Sequence, residues 1–318
     1  MSLLQIKGVS KTFDGERLAL KEIQLEVEKL KRVGIVGGTG SGKSTLLKII
    51  AGLEQASSGE LYYKKEKIPG PNDQLVAGHK KIKYLSQYFE LPKFITVEDF
   101  IYSPYRISED DVEKLYKACH IKHLIDQDTR ELSGGERQRV SLAKLLVEDP
   151  EVLLLDEPFS NLDMNHQATI KNVIENVERD LGTTIIMVSH DPSDVLAWAD
   201  QILVMYEGEI IQTSAPYDVY NYPINEYVAG LFGTYNLIDK ASWKLQNKKL
   251  TQVNEKVIVR PEMFKLHFNG ESMKKGKVTK VNYYGSHEEL EVKIGDQSIK
   301  VRSGVGEYAV GDEVSLEV

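Results

Sequence analysis

Gly37-Gly38-Thr39-Gly40-Ser41-Gly42-Lys43-Ser44-Thr45 decides the reading of this chain. The run matches G-x-x-x-x-G-K-[ST], the pattern of a phosphate-binding loop. Its glycines let the backbone wrap closely around phosphate oxygens, so that successive amides point inward as an anion-binding concavity. Residues 31–36 before it read as a buried strand. Residues 44–52 after it read as an apolar helix whose N-terminus faces the same charge. In this arrangement Lys43 is a point charge near the β- and γ-phosphates of a nucleotide, and Ser44 offers its hydroxyl to Mg2+.

A second stretch complements the loop. Val152-Leu153-Leu154-Leu155-Asp156-Glu157 is an apolar strand that ends in two carboxylates. Asp156 is placed to support Mg2+ through a coordinated water, and Glu157 is the candidate general base for an attacking water. Outward from these two stretches, strands expected at 82–86 and 184–188 alternate with helical patterns at 97–126 and 165–181. Such alternation implies a mostly parallel sheet. Residues 3–9 and 23–27 form a strand-rich opening with Asp14-Gly15 as its turn. The character changes near Phe232-Gly233. Beyond it come short strand-like runs at 256–260, 277–284, 289–294, 298–302 and 314–318, separated by Pro261, Gly270, Gly285, Gly295 and Gly311. They predict a small β-barrel or sandwich.

Composition limits the alternatives. The 318 residues suggest two domains, and 41% hydrophobic with 28% charged residues fits a folded globular chain. The net charge is −8, and the acidic excess lies entirely before Ala241, so there is no basic footprint for nucleic acid. A lone cysteine, Cys119, excludes an internal disulfide framework. Cys119, His120 and His123 read as helix surface, not as a metal patch. The start has no long apolar segment of a secretory signal, and no apolar run approaches the ~20 residues of a spanning helix. The chain itself is therefore expected not to cross a membrane.

Leu132-Ser133-Gly134-Gly135-Glu136-Arg137-Gln138, taken with the phosphate loop, resembles the signature of the ABC ATPase superfamily. Other motifs come in the family's order. Gln87 in Tyr84-Leu85-Ser86-Gln87-Tyr88 matches the Q-loop, Ser160-Asn161-Leu162-Asp163 the D-loop, and His190 in Val188-Ser189-His190-Asp191 the switch histidine. Phe13 stands where the family stacks an aromatic ring on adenine. The resemblance implies an α/β P-loop NTPase over residues 1–235: a RecA-like core with an antiparallel β subdomain and a helical subdomain at about 88–150. It implies ATP and Mg2+ as cofactors, with Ser44, Gln87 and Asp156 at the metal and Glu157, His190 and Gln87 at the hydrolytic water. Ser133, Gly134 and Gly135 would meet the ATP held by the opposite subunit of a homodimer, and Asp163 would lie at the subunit junction. Gly38 replaces a proline frequent in importer loops, and Phe13 a commoner tyrosine.

One phosphate loop and one signature mean that two copies must meet to make two complete sites. The short spacing from Gln87 to the signature excludes the long coiled-coil insertions of chromosome ATPases, and no membrane domain is fused to the cassette. Residues 236–318, with Val259-Arg260-Pro261-Glu262 and Gly276-Lys277-Val278, loosely resemble the transport-associated OB-like domain (TOBE) of bacterial importers. The implied protein is the motor of a solute importer on the cytoplasmic face of the inner membrane. It would serve integral-membrane permease subunits fed by an extracytoplasmic solute-binding protein, with polyamine, ferric iron or an oxyanion as the expected cargo. A soluble non-transport ABC ATPase, or an ATPase governed by ligand sensing in the C-terminal domain, are the other classes.

Overall fold

A computed structural model describes the chain except residues 1, 16, 88–90, 103–108, 161, 244, 246–249 and 269–273. Tyr88 of the Q-loop stretch, residues 103–108 of the helical pattern expected over 97–126, and Asn161 of the D-loop lie outside the described residues. The chain divides into two compact units, Met1–Pro216 and Tyr217–Val318.

In the first unit, β1 (Ser2–Phe13) and β2 (Arg17–Glu28) form a long antiparallel hairpin. β3 (Val33–Gly37), buried throughout, leads through the glycine loop into α1 (Lys43–Ile50). β4 (Ser58–Tyr63) and β5 (Glu66–Lys67) complete a four-stranded antiparallel sheet of order β2-β1-β4-β5. Next come β6 (Ile82–Leu85), then α2 (Val97–Ile101), α3 (Glu109–Ala118) and α4 (Gly134–Leu146). The core closes with β7 (Val152–Asp156), α5 (Met164–Leu181), β8 (Thr184–Val188), α6 (Pro192–Leu196), β9 (Gln201–Tyr206) and β10 (Glu209–Ser214). These strands build a six-stranded sheet of order β10-β9-β3-β8-β7-β6, parallel except for β10.

The pattern explains the layers. β3, β7 and β8 are buried at every position, as strands covered on both faces must be. Leu46, Leu47, Ile49 and Ile50 of α1 pack in one apolar core with Leu4 and Ile6 of β1, Leu25 of β2, and Ile35, Leu154 and Ile186 of the parallel sheet. The helix behind the glycine loop is thus held between the two sheets, and this fixes the loop itself.

The helical pattern expected over 97–126 is broken into pieces: α2, α3 and a 3-10 turn at Lys122–Leu124. Thr96 caps α2 by accepting from the amide of Asp99. Cys119 is not helix surface. It is fully buried behind α3, where burial pushes its thiol up to about 12. His120 and His123 are exposed, and His120 sits in the turn after α3 at φ 54. No described helix is long and apolar enough to span a bilayer.

α7 (Pro216–Asn221) starts at the last residue of the first unit, and α8 (Glu226–Leu231) lies in the second. Two antiparallel sheets lie beyond these helices, as the short punctuated runs of the sequence predict. β11 (Asn236–Asp239), β12 (Gln252–Val253) and β13 (Lys256–Val259) form one of them. β14 (Lys265–His267), β15 (Lys274–Tyr283), β16 (Glu288–Ile294), β17 (Gln297–Ser303) and β18 (Glu313–Glu317) form the other, in the order β14-β18-β15-β16-β17. Both sheets share a core that includes Trp243, Val259, Phe264, Leu290, Val301 and Leu316. Asn236 bridges them, donating to the carbonyl of Lys300 at 2.8 Å and accepting from its amide at 2.8 Å.

The units part at Pro216/Tyr217, whereas the family resemblance implied a boundary at 235/236. Arg260 supplies the reason. Its guanidinium, 1% exposed, donates to the carbonyls of Tyr220, Ala229, Gly233 and Thr234 at 2.9–3.1 Å and lies 4.3 Å from the centre of the Tyr220 ring. A buried charge holding four carbonyls ties both short helices to the β unit.

Candidate nucleotide-binding and hydrolysis site

Parallel strands end on one edge of their sheet, and ligand sites in such folds form beyond those carboxyl ends. The glycine loop comes after β3, Glu157 after β7, His190 after β8 and Gln87 after β6. Residues far apart in sequence therefore meet at one place.

Within the loop, Gly40 (φ 79) and Gly42 (φ 101) adopt left-handed conformations that favour glycine. A Cβ on Gly42 would lie 2.5 Å from the carbonyl oxygen of Ala19, whereas one on Gly40 would meet nothing within 4 Å. The loop is closed behind and open in front. Lys43 is 7% exposed, and its ammonium donates to the carbonyls of Gly37 (2.8 Å) and Gly38 (2.9 Å). Burial lowers its pKa, opposed by the charges of Glu157 and Asp156. Ser41 is buried, while Thr39 and Ser44 are exposed and Thr45 half-buried.

Asp156 is 5% exposed, and its two oxygens are separately engaged. Ser44 donates to Oδ1 at 3.0 Å and the Tyr84 phenol to Oδ2 at 2.8 Å. Burial, then the bond to Asp156, raises the Tyr84 pKa. Glu157, at φ 50, is in the left-handed region that costs a non-glycine residue about 1–2 kcal/mol. Its amide donates to the carbonyl of Val188 at 2.9 Å. Gln87 Nε2 donates to Glu157 Oε2 at 3.0 Å, and His190 Nδ1 lies 3.2 Å from that same oxygen. Gln87, Glu157 and His190 are thus one hydrogen-bonded group beside the Ser44–Asp156 pair. Hard oxygen donors from Ser44 and Asp156 fit a small divalent cation such as Mg2+, and the open glycine loop with its lysine fits phosphate.

A second cluster surrounds the signature. Ser133 caps α4 in a capping box: its amide and hydroxyl donate to Glu136 Oε2 at 2.8 and 2.7 Å, and the Glu136 amide returns to Ser133 Oγ. These bonds, the backbone one foremost, hold the Glu136 carboxyl below its ordinary range. Ser133 and Gly134 are exposed, whereas Gly135 is buried against His166; a Cβ there would come within 2.7 Å of the imidazole Cδ2. Asp163 caps α5, accepting from the His166 amide at 2.9 Å, and its Oδ2 lies 2.8 Å from His166 Nδ1. These bonds lower its pKa. Phe13, half-buried at the end of β1, has the Lys11 ammonium 4.5 Å from its ring centre. Sequence reasoning missed Tyr84, Glu136 and His166. Glu136 carried a signal, since Ser-x-x-Glu before an apolar helix spells a capping box.

A phosphate loop on β3 with paired carboxylates on β7 defines a P-loop nucleotide hydrolase. The ABC transporter family profile matches residues 20–160. The glucose import ATP-binding protein GlcV of Saccharolobus solfataricus is 38% identical over 244 residues, 74% of this chain and 69% of the relative. The spermidine/putrescine import ATP-binding protein PotA of Spiroplasma citri is 32% identical over 338 aligned positions, 99% of this chain and 95% of the relative. The dimeric ATP-binding cassette MJ0796, solved in a post-hydrolysis state bound to ADP and Pi, superposes with a TM-score of 0.57 at 27% identity, covering 67% of this chain and 98% of the cassette. The chain belongs to the ABC transporter family, among its importer ATP-binding subunits, and is an ATPase.

Proposed function

We propose that this subunit works as a homodimer that binds ATP and Mg2+ at two shared sites and drives a separate permease from the cytoplasmic face of the membrane. The observation that carries the reading is the convergence of Lys43, Ser44, Asp156, Glu157, Gln87 and His190 at the ends of four parallel strands. Lys43 and the loop amides bind phosphate, while Ser44 and, through water, Asp156 hold the metal. When bound, Mg2+ neutralises charge on the transferring phosphoryl group. Glu157 accepts the proton of the attacking water, and Gln87 and His190 orient its carboxylate. Phe13 offers a ring face to adenine. Ser133, Gly134 and Gly135 complete the partner's site, with Asp163 beside the junction. The C-terminal β unit is the TOBE-like part. The solute is chosen outside this chain, by the permease and an extracytoplasmic binding protein, and the two import relatives carry different solutes in their names.

Glu157→Gln keeps the shape and hydrogen bonding of the site but removes its base. Phosphate release should fall by about 10²–10⁴-fold, while ATP is retained and a dimer accumulates in size-exclusion chromatography with Mg2+ and ATP. Wild-type turnover by this variant would refute the role of Glu157.

A further inference from the structure

We propose that Tyr84 is a positioning residue for the metal half of the site, fixing the carboxylate plane of Asp156 through its phenol. The inference rests on the metal role proposed for Asp156. The carboxyl torsion of an aspartate is broad and roughly two-fold, so one hydrogen bond leaves its plane adjustable. Here both oxygens are held, from different elements: Oδ1 by Ser44 at the start of α1, and Oδ2 by Tyr84 of β6 at 2.8 Å. A phenol is protonated at neutral pH and donates to a carboxylate.

Register makes the contact possible. β6 runs parallel beside β7 with Tyr84 opposite Leu154, so Asp156 lies two residues further along the neighbouring strand, within reach of a long aromatic side chain. Three residues beyond Tyr84, Gln87 donates to Glu157 at 3.0 Å. The end of β6 therefore grips both adjacent carboxylates, one through Tyr84 and one through Gln87. Partners that orient a metal-binding carboxylate in this way tune metal affinity more than they tune binding of the rest of the ligand. A phenylalanine would fill the same space without supplying a donor to Oδ2.

The test compares wild type, Tyr84→Phe and Asp156→Asn by equilibrium binding of the fluorescent analogue trinitrophenyl-ATP, without metal and across a Mg2+ titration. Thermal melts check that each variant folds. For Tyr84→Phe, the Mg2+ concentration giving half of the metal-dependent change should rise about 10-fold, the lower end for such partners. Its metal-free affinity should stay within about twofold of wild type, and phosphate release lost at low Mg2+ should return at high Mg2+. If Asp156→Asn raises the Mg2+ requirement while Tyr84→Phe does not, Tyr84 only fills space and the proposal is overturned on its own. A metal-free affinity that falls as much as the Mg2+-dependent one also overturns it, by placing the effect in the fold. If Asp156→Asn leaves the Mg2+ requirement unchanged, the metal reading fails and takes the proposal with it.

Discussion

The phosphate loop and the signature are both proposed anion sites, but the chain treats them differently. Lys43 and Asp156 are 7% and 5% exposed, and each is bonded to other groups of the same chain. Ser133 and Gly134 lie in the open at the start of a helix, beside the exposed Asp163. The first region assembles from four strand ends, and its polar groups are already bonded to one another. The second is a helix start whose Ser133 amide and hydroxyl are engaged by Glu136, with the exposed Gly134 beside them. On the proposed function, burial separates the half of a composite site that holds its own ligand from the half presented to another chain.

Three measurements would break or sharpen that contrast. Lys43→Ala has the largest effect: losing a buried, charge-assisted contact should weaken ATP about a hundredfold, near 3 kcal/mol, as read by equilibrium binding to the isolated chain. Equal binding by the variant would mean that the loop amides carry the affinity alone. The paired variants Gly135→Ala and Gly134→Ala come next. The added methyl at 135 meets His166, so Gly135→Ala should cost about 1–3 kcal/mol in denaturant unfolding; at 134 it meets nothing, and the change should stay within about 1 kcal/mol. Equal effects would show that the two glycines are not split between inside and outside.

The smallest effect is a pH dependence. Glu136 has a depressed pKa in the fold, against 4.5 ordinarily. Its capping contribution is therefore present above that unfolded value and lost as pH falls through the lower folded one. The melting-temperature gap between wild type and Glu136→Gln should be widest near neutrality and shrink as pH falls below 4.5. A gap that stays constant with pH would show that the carboxylate charge is not what caps the helix.

The unequal legibility of the two regions has the same origin. Gly37–Thr45 and the acids after β7 are readable because phosphate and metal chemistry demand fixed residue types at fixed spacing. The parallel strands are readable as continuous apolar runs, as at 152–155 and 184–188. Tyr84 is not, because its partner lies 72 positions away and the contact exists only through the β6–β7 register. Cys119 reads as surface when the helical period is carried across 97–126, but the chain turns after α3 and takes the thiol inward. Arg260 reads only as part of a loose motif. Its four carbonyl partners all precede residue 236, where the family resemblance put the boundary, and they lie with Arg260 in the second unit.

The central claim is that one chain's signature completes the other chain's phosphate loop, and mixing two dead variants tests it. Gly134→Asp suits the purpose better than the same change at 135, where the side chain would strike His166 of its own chain. A carboxylate at 134 facing phosphate would cost about 4 kcal/mol at close approach with an effective dielectric near 20. Lys43→Ala and Gly134→Asp should each be nearly inactive in a phosphate-release assay. After subunit exchange, verified by a mass tag on one variant, about half the dimers pair one of each, leaving one intact site and one carrying both lesions. Activity should then recover to about a quarter of wild type, because half the dimers have one of two sites working. Full activity of Gly134→Asp alone, or no recovery in an exchanged mixture, would contradict the shared site.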